Sequence, residues 1–223
     1  IHAMRGTYPS TKPPVVLGHE FSGVVVAVGE NVRNIHVGDR VTSETTYETC
    51  GSCHYCHTGD LNLCGTRRGV GTNVNGSMAE YIVNHEARIH VLPENVSLLA
   101  AALTEPLACG VHAVIERGHV HEGDIVCVFG AGAIGQMVAQ VAHACGATVI
   151  MAGLSSDVER LQIATQCGIQ RTVNQQAEEL SDVISEMTSG LGVDLAFECS
   201  GAVPAANKAL EIVKKGGKVI QMG

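Results

Sequence analysis

Two styles of apolar patterning meet near Pro106. From Val15 to Val41 short β-branched stretches are punctuated by glycine: Val24 to Val28 reads as a strand, Gly29 turns it, and Gly38-Asp39 opens the next. Met78 to Val83 and Ala87 to Leu92 continue in the same manner. Residues 1–106 are therefore expected to form a small β-rich domain. Beyond Pro106 short apolar runs alternate with stretches of helical period. Ile125 to Phe129, Thr148 to Ala152, Arg171 to Val173, Asp194 to Glu198 and Lys218 to Met222 read as strands. Ile134 to Cys145, Val158 to Cys167, Ala177 to Met187 and Ala205 to Val213 read as the helices that separate them. This alternation predicts an α/β fold, with a parallel, doubly wound sheet over residues 107–223.

Composition agrees with two domains of moderate size: 223 residues, 45% of them hydrophobic. A formal charge of −8 and a pI near 5.7, with Lys and Arg scattered, speak against a nucleic-acid-binding surface. Glycines and glutamines interrupt the most apolar region, Ile125 to Ala142, so no membrane span is expected. Nine cysteines without a recognisable targeting segment fit a reducing cytoplasm, although a leader lying before Ile1 would not be seen.

The densest chemistry lies in Cys50, Cys53, Cys56 and Cys64, spaced C-x2-C-x2-C-x7-C. Each short step lets neighbouring sulfurs converge on one ion, and the longer step returns the loop to complete a tetrahedron around zinc. Two disulfides are the alternative, but they belong mostly to small secreted domains. A rubredoxin-like iron centre would normally pair two C-x2-C knuckles instead. Four sulfur ligands leave no position for substrate, so the cluster points to metal and not to catalysis. His54 and His57 stand beside a site already complete and are expected to face solvent. Cys109, Cys127, Cys145, Cys167 and Cys199 fall on strands or helices as small apolar fillers.

Gly130-Ala131-Gly132-Ala133-Ile134-Gly135 follows one predicted strand and opens one predicted helix, the setting in which G-x-G-x-x-G binds a dinucleotide. The glycines serve the turn, the approach of the pyrophosphate and the packing of helix on strand. An NAD site usually places Asp or Glu at the end of the second strand, where this chain has Gly153, followed by Leu154, Ser155, Ser156 and Asp157, with Arg160 one turn further. Two hydroxyls and a guanidinium could bind a 2′-phosphate, which favours NADP. NAD remains the alternative, with Asp157 serving the ribose and Arg160 stacking on adenine or facing solvent. Cys199-Ser200-Gly201 ends the fourth sheet strand, where cofactors pass, with a weak case for direct contact.

Gly18-His19-Glu20 precedes the first β-branched strand, and Glu105 lies at the domain boundary in Thr104-Glu105-Pro106-Leu107. His19 is of a type that often ligates zinc, and a carboxylate at residue 105 would face a cleft beside the cofactor. Alone, each has an ordinary reading: a surface His-Glu pair, and a charge at a helix N-terminus. His112, on the helix after Glu105, is expected to be packed or capping.

Taken together, Gly18-His19-Glu20, Gly23, Gly29 and Val32, then the four-cysteine lobe and the glycine motif in that order, resemble the zinc-dependent medium-chain alcohol dehydrogenase family. Glu105-Pro106-Leu107 resembles its polyol (sorbitol, iditol) and threonine dehydrogenase branch. The resemblance runs from Ile1 to Gly223 and implies a GroES-like catalytic domain followed by a Rossmann domain. It also implies structural zinc at Cys50, Cys53, Cys56 and Cys64, and catalytic zinc at His19 and Glu105, with Glu20 a ligand or close partner. Ile1-His2 would end the family's C-G-S-D-x-H segment, whose cysteine ligand would precede this chain, and His2 would relay the substrate proton or else be an ordinary surface histidine. The family also continues past the fifth strand, so both domains read as incomplete, that strand as an open edge, and the chain alone as inactive and holding close to one zinc. The expected reaction of the whole protein is hydride transfer between a polyol or secondary alcohol and the nicotinamide, with a dimer or tetramer as the assembly. A noncatalytic, zinc-stabilised nucleotide-binding module is the competing reading, and a zinc-free quinone reductase is opposed by His19, Glu105 and the cysteines.

Overall fold

The computed structural model describes residues 5–6 and 11–223, which divide into two compact units, Ile1–Glu105 and Pro106–Gly223. In the first, β1 (Ser22–Val24) pairs antiparallel with β2 (Arg40–Ser43). Next come β3 (Thr46–Glu48), the short helix α1 (His54–Thr58) and β4 (Arg68–Gly69), which pairs antiparallel with β3 and closes the cysteine lobe onto it. β5 (Ile89–Val91) completes a three-stranded sheet of order β1-β2-β5. The helix α2 (Leu98–Ala101) follows, and α3 (Thr104–Val111) begins at the end of this unit and carries the chain into the second, running on there into a wider helical turn over His112–Gly118.

Three expected strands of this unit come out differently. Regular pairing in the first ends at Val24, and only Val25 continues it, by exchange with Asp39 and Gly38 where the partner strand turns. Val26 and Val28 are exposed, so the β-branched run was strand-prone without a partner along its length. Met78 to Val83 forms no strand, since the chain bends over 77–80 and is irregular beyond, and Met78, Tyr81 and Val83 lie open on the surface. Ala87 to Leu92 is strand only over Ile89–Val91, after one tight helical turn at Glu86–Arg88.

In the second unit the elements fall close to their expected places: β6 (Ile125–Phe129), α4 (Ala133–Ala144), β7 (Thr148–Gly153), α5 (Val158–Gln166), β8 (Arg171–Asn174), α6 (Leu180–Thr188), β9 (Val193–Glu198), α7 (Val203–Ile212) and β10 (Val213–Gln221). The sheet is parallel, of order β10-β9-β6-β7-β8. Chain order therefore reverses between β6 and β9, the topological switch point beside which dinucleotides bind. Alternation along β6 and β7 sends Val126, Val128, Val149 and Met151 into one core and Cys127, Phe129, Ile150 and Ala152 into the other. Both faces are covered, which is why these strands read as continuous apolar runs. No helix among the described residues is long and apolar enough to cross a membrane.

Candidate functional site

The cysteine lobe is built by tight turns. Cys53 precedes α1, the left-handed Gly59 ends it, and a single helical turn at Leu61–Leu63 delivers Cys64. Arg67 ties the lobe to β3 through the hydroxyls of Thr46 (2.8 Å) and Thr45 (2.9 Å). The four sulfurs come within 4.8 Å of one another, with Cys50–Cys56 at 3.9 Å, Cys53–Cys56 at 3.5 Å and Cys50–Cys64 at 3.7 Å. A tetrahedral zinc with Zn–S near 2.3 Å spaces its sulfurs about 3.8 Å apart, whereas a disulfide would bring two of them to about 2.05 Å. The geometry fits the ion and not the disulfides. Backbone and hydroxyl donors of Ser52 hold the Cys50 thiol down to about 5, and the Cys50 amide with Thr66 lowers Cys64. Cys53 moves the other way, to about 11, because burial and the neighbouring sulfurs outweigh the amide of Cys56. The leaning of Cys50 and Cys64 toward thiolate suits a cation. His54 and His57 are both exposed.

His19, Glu20 and Glu105 form a second convergent group, one ligand atom from each lying within 4.8 Å of the others. His19 Nε2 stands 3.9 Å from Glu105 Oε1, with the two side chains 42% and 23% exposed. Crowded glycines place this corner: a Cβ on Gly71 or Gly76 would fall 2.3 or 2.0 Å from the carbonyl oxygen of Gly18. The strand-like segment before His19 is pinned there by Gly76 N–H to Val16 O (2.7 Å), Ser77 N–H to Gly18 O (2.9 Å) and Met78 N–H to Leu17 O (2.9 Å). Glu105 comes from the first turn of α3. One imidazole and two carboxylates are a donor set for a divalent ion, with room left for a further ligand. His2 lies outside the described residues.

At the carboxy end of β6, Gly130 turns with φ of +93° and α4 begins at Ala133. A Cβ on Gly135 would lie 1.9 Å from Gly130 O, so this position admits only glycine. Gly132 differs: its φ of −72° suits any residue, and a Cβ there would meet nothing within 4 Å. No side chain caps α4, and the bare Cα of Gly132 together with free N–H groups of the first turn makes a cradle for an anion. Ala133 is exposed at the first helical position, while Ile134 turns inward against the core.

Gly153 ends β7 buried, and Ser155, Ser156 and Arg160 are exposed just beyond it. Asp157 accepts the Leu154 N–H (3.1 Å) and pairs with Arg160 Nη1 (3.0 Å), so its carboxylate stays under the turn. The Ser155 N–H donates to Gln176 Oε1 (2.9 Å), and its hydroxyl accepts from the Asn174 amide (3.1 Å). Neither Asn174 nor Gln176 was expected from sequence, since they reach this point only through the β7–β8 register.

Two other expectations are corrected. Cys167 is exposed and no filler, because it falls on the outer side of the α5 terminus. His112 is neither packed nor capping: it is exposed, with Nδ1 2.6 Å from Glu116 Oε2 one turn on and Nε2 accepting from Arg117 (3.2 Å). Cys127 is buried, and Cys109, Cys145 and Cys199 are partly so.

Two family models match the chain: the alcohol dehydrogenase GroES-like domain over residues 1–94 and the zinc-binding dehydrogenase over residues 133–223. Over all 223 residues it is 48% identical to D-arabitol-phosphate dehydrogenase of Enterococcus avium and 47% identical to sorbitol dehydrogenase of Halalkalibacterium halodurans. It spans 63% and 64% of the lengths of those relatives. A zinc-binding dehydrogenase structure from Sinorhizobium meliloti, solved with NADP bound, superposes with a TM-score of 0.92 at 32% identity, covering 100% of this chain and 64% of that one. The alcohol dehydrogenase of Thermus sp. ATN1 gives 0.87 at 32% identity, covering 100% and 65%. The two models match in order, so the chain carries an alcohol dehydrogenase GroES-like domain followed by a zinc-binding dehydrogenase domain, and its likeness over its whole length is to the zinc-dependent alcohol and polyol dehydrogenases.

Proposed function

We propose that the protein is a zinc-dependent oxidoreductase that moves hydride between a polyol or other secondary alcohol and NAD(P), with NADP favoured. The observation that carries this reading is the convergence of His19, Glu20 and Glu105 on one point, with fewer ligands than a saturated structural site needs. Zinc held there would supply Lewis acidity toward a substrate hydroxyl, and a bound nicotinamide would supply the hydride acceptor or donor. The chain's own residues do the rest. His19 and Glu105 hold the ion, with Glu20 as a third ligand or close partner. Two carboxylates beside one imidazole offset its charge. His2 takes the hydroxyl proton toward solvent. Cys50, Cys53, Cys56 and Cys64 bind a second zinc that braces their lobe and stays out of the chemistry.

The Gly130–Gly135 turn and the first N–H groups of α4 receive the pyrophosphate. Gly153 itself carries no carboxylate, the Asp157 carboxylate close beside it is engaged by the Leu154 N–H and Arg160, and Ser155, Ser156 and Arg160 stand exposed to bind a 2′-phosphate. Arg160 is tied to Asp157 only by a surface ion pair, which a dianionic phosphate can displace. The NADP of the Sinorhizobium meliloti structure supports this preference. The names of the relatives, a polyol-phosphate dehydrogenase and a polyol dehydrogenase, support a substrate with vicinal hydroxyls, phosphorylated or not. We further propose a homo-oligomer, on family resemblance.

Steady-state reduction of NADP+ and NAD+ by the whole protein, with a panel of polyols and polyol phosphates, tests the reading. Replacing His19 by Ala is expected to abolish turnover without lowering the melting temperature, and Arg160→Ala to raise the Michaelis constant for NADP alone by about tenfold. Tight dinucleotide binding with no turnover of any alcohol would leave only a nucleotide-binding module.

A further inference from the structure

Glu198 is the one charged side chain that is fully buried among the described residues. It ends β9 level with Phe129, the last residue of β6 before the glycine turn. Each of its oxygens is engaged twice. Oε1 accepts the Ser200 N–H (2.8 Å) and the Ser200 hydroxyl, while Oε2 accepts the Gly201 N–H (3.1 Å) and the Gln221 side-chain amide (2.7 Å). An apolar residue would fill the same core space without the cost of desolvating a charge, so the use of this carboxylate lies in what it holds.

What it holds is the turn Cys199-Ser200-Gly201, which stands directly against the dinucleotide turn. A Cβ on Gly130 would come 3.0 Å from Ser200 Cβ and 3.1 Å from its Cα and N, and a Cβ on Gly135 would come 3.7 Å from Cys199 Cβ. The Cys199 N–H donates to Phe129 O (2.9 Å), and Gly201 takes the left-handed φ of +71° that brings its N–H back to the carboxylate. With their N–H groups drawn inward, Ser200 and Gly201 form a closed wall at the sheet's switch point.

We propose that Glu198 is a positioning residue for the dinucleotide: by gathering the Ser200 and Gly201 donors it sets the wall against which the Gly130–Gly135 turn receives the pyrophosphate. This rests on the reading of that turn as the cofactor site. Burial works against the charge, but the Ser200, Gly201 and Gln221 donors keep the carboxyl below its ordinary range, so it stays anionic at neutral pH. Its charge is spent on these donors and is not presented to the phosphates.

Glu198→Gln keeps the volume but points an NH2 at a donor, which must release Ser200 or Gly201. Dinucleotide affinity is measured by calorimetry, adenosine affinity by ligand-observed NMR, and the melting temperature alongside. Adenosine reaches only the Gly153 end, so it reports on the fold without the pyrophosphate wall. The expected result is a dissociation constant for the dinucleotide at least tenfold higher, with adenosine binding within twofold of the parent. An unchanged dinucleotide constant overturns the proposal, as does equal weakening of both ligands with a lower melting temperature, which marks a purely structural residue. Should Glu198→Gln fail to fold, Ser200→Ala decides: a roughly threefold loss for the dinucleotide supports the proposal, and none overturns it. If the parent binds adenosine and no dinucleotide, the cofactor reading itself fails.

Discussion

Gly132 and Gly135 sit three residues apart on one turn and are glycine for opposite reasons. At 135 a methyl group would be driven into Gly130 O, and at 132 it would project into open space. Gly135→Ala should therefore cost both stability and cofactor affinity, because α4 must pull away from β6. Gly132→Ala should leave the thermal melt within about 2 °C of the parent, since nothing in the fold is displaced, yet weaken dinucleotide binding by about tenfold or more. Paired melts and calorimetric titrations of the two variants check this, and a Gly132→Ala protein with full affinity would mean that no ligand approaches its Cα. Glu198 escaped a reading by residue type alone, because a carboxylate ending a strand looks like a solvated terminus. The signal was present in Glu198-Cys199-Ser200-Gly201: an acceptor followed by a hydroxyl two places on and a glycine three places on can fold back on itself.

Elements covered on both sides were foreseeable, and elements covered on one were not. From β6 onward most boundaries lie within about two residues of the apolar pattern, α6 and β10 being the exceptions, because two cores select the same strands that the pattern marks. Val24 to Val28 and Met78 to Val83 carry the same β-branched character but no matching partner, so strand propensity alone did not make strand. The metal clusters divided differently. The cysteine lobe could be read from spacing, since its four ligands are local, whereas the meeting of His19 with Glu105 depends on chain separated by most of the first unit. α1 and the turn after it have no buried residue of their own, so their order depends on the sulfurs. Cys53→Ser, or removal of zinc by a strong chelator, is accordingly expected to lower the melting temperature by about 5 °C or more and expose the lobe to proteolysis. His19→Ala should do neither.

Acid is expected to loosen both units. Glu86 is held below its ordinary 4.5 by the amides of Asn34 and Arg33, which it ties to the 86–88 turn. In the second unit burial opposes ionisation of Asp194 and Glu198, yet Lys214 and the Ile125 amide keep Asp194 below 3.8, and the Ser200 donors keep Glu198 below 4.5. A carboxyl depressed in the folded state contributes stability above its unfolded pKa and loses it as pH falls through the folded one. The melting temperature should thus be flat from pH 7 to about 5.5 and fall by roughly 5 °C or more by pH 3.5, with Glu198→Gln removing part of the slope. A melt independent of pH over that window would contradict the depressed values.

The order β10-β9-β6-β7-β8 also sets a timetable. β6 is made first and lies at the centre, where β7 can cover one edge soon after synthesis, but its other edge waits for β9. The Ile125 N–H meets its acceptor on Asp194 only 69 residues later. At about 5–20 residues per second, the central strand leaves the ribosome with one side unpaired for roughly 3–14 s. During that interval Val126, Val128 and Phe129, wholly shut away in the finished sheet, remain available to any passing strand, and the yield of folded protein rests on what shields them.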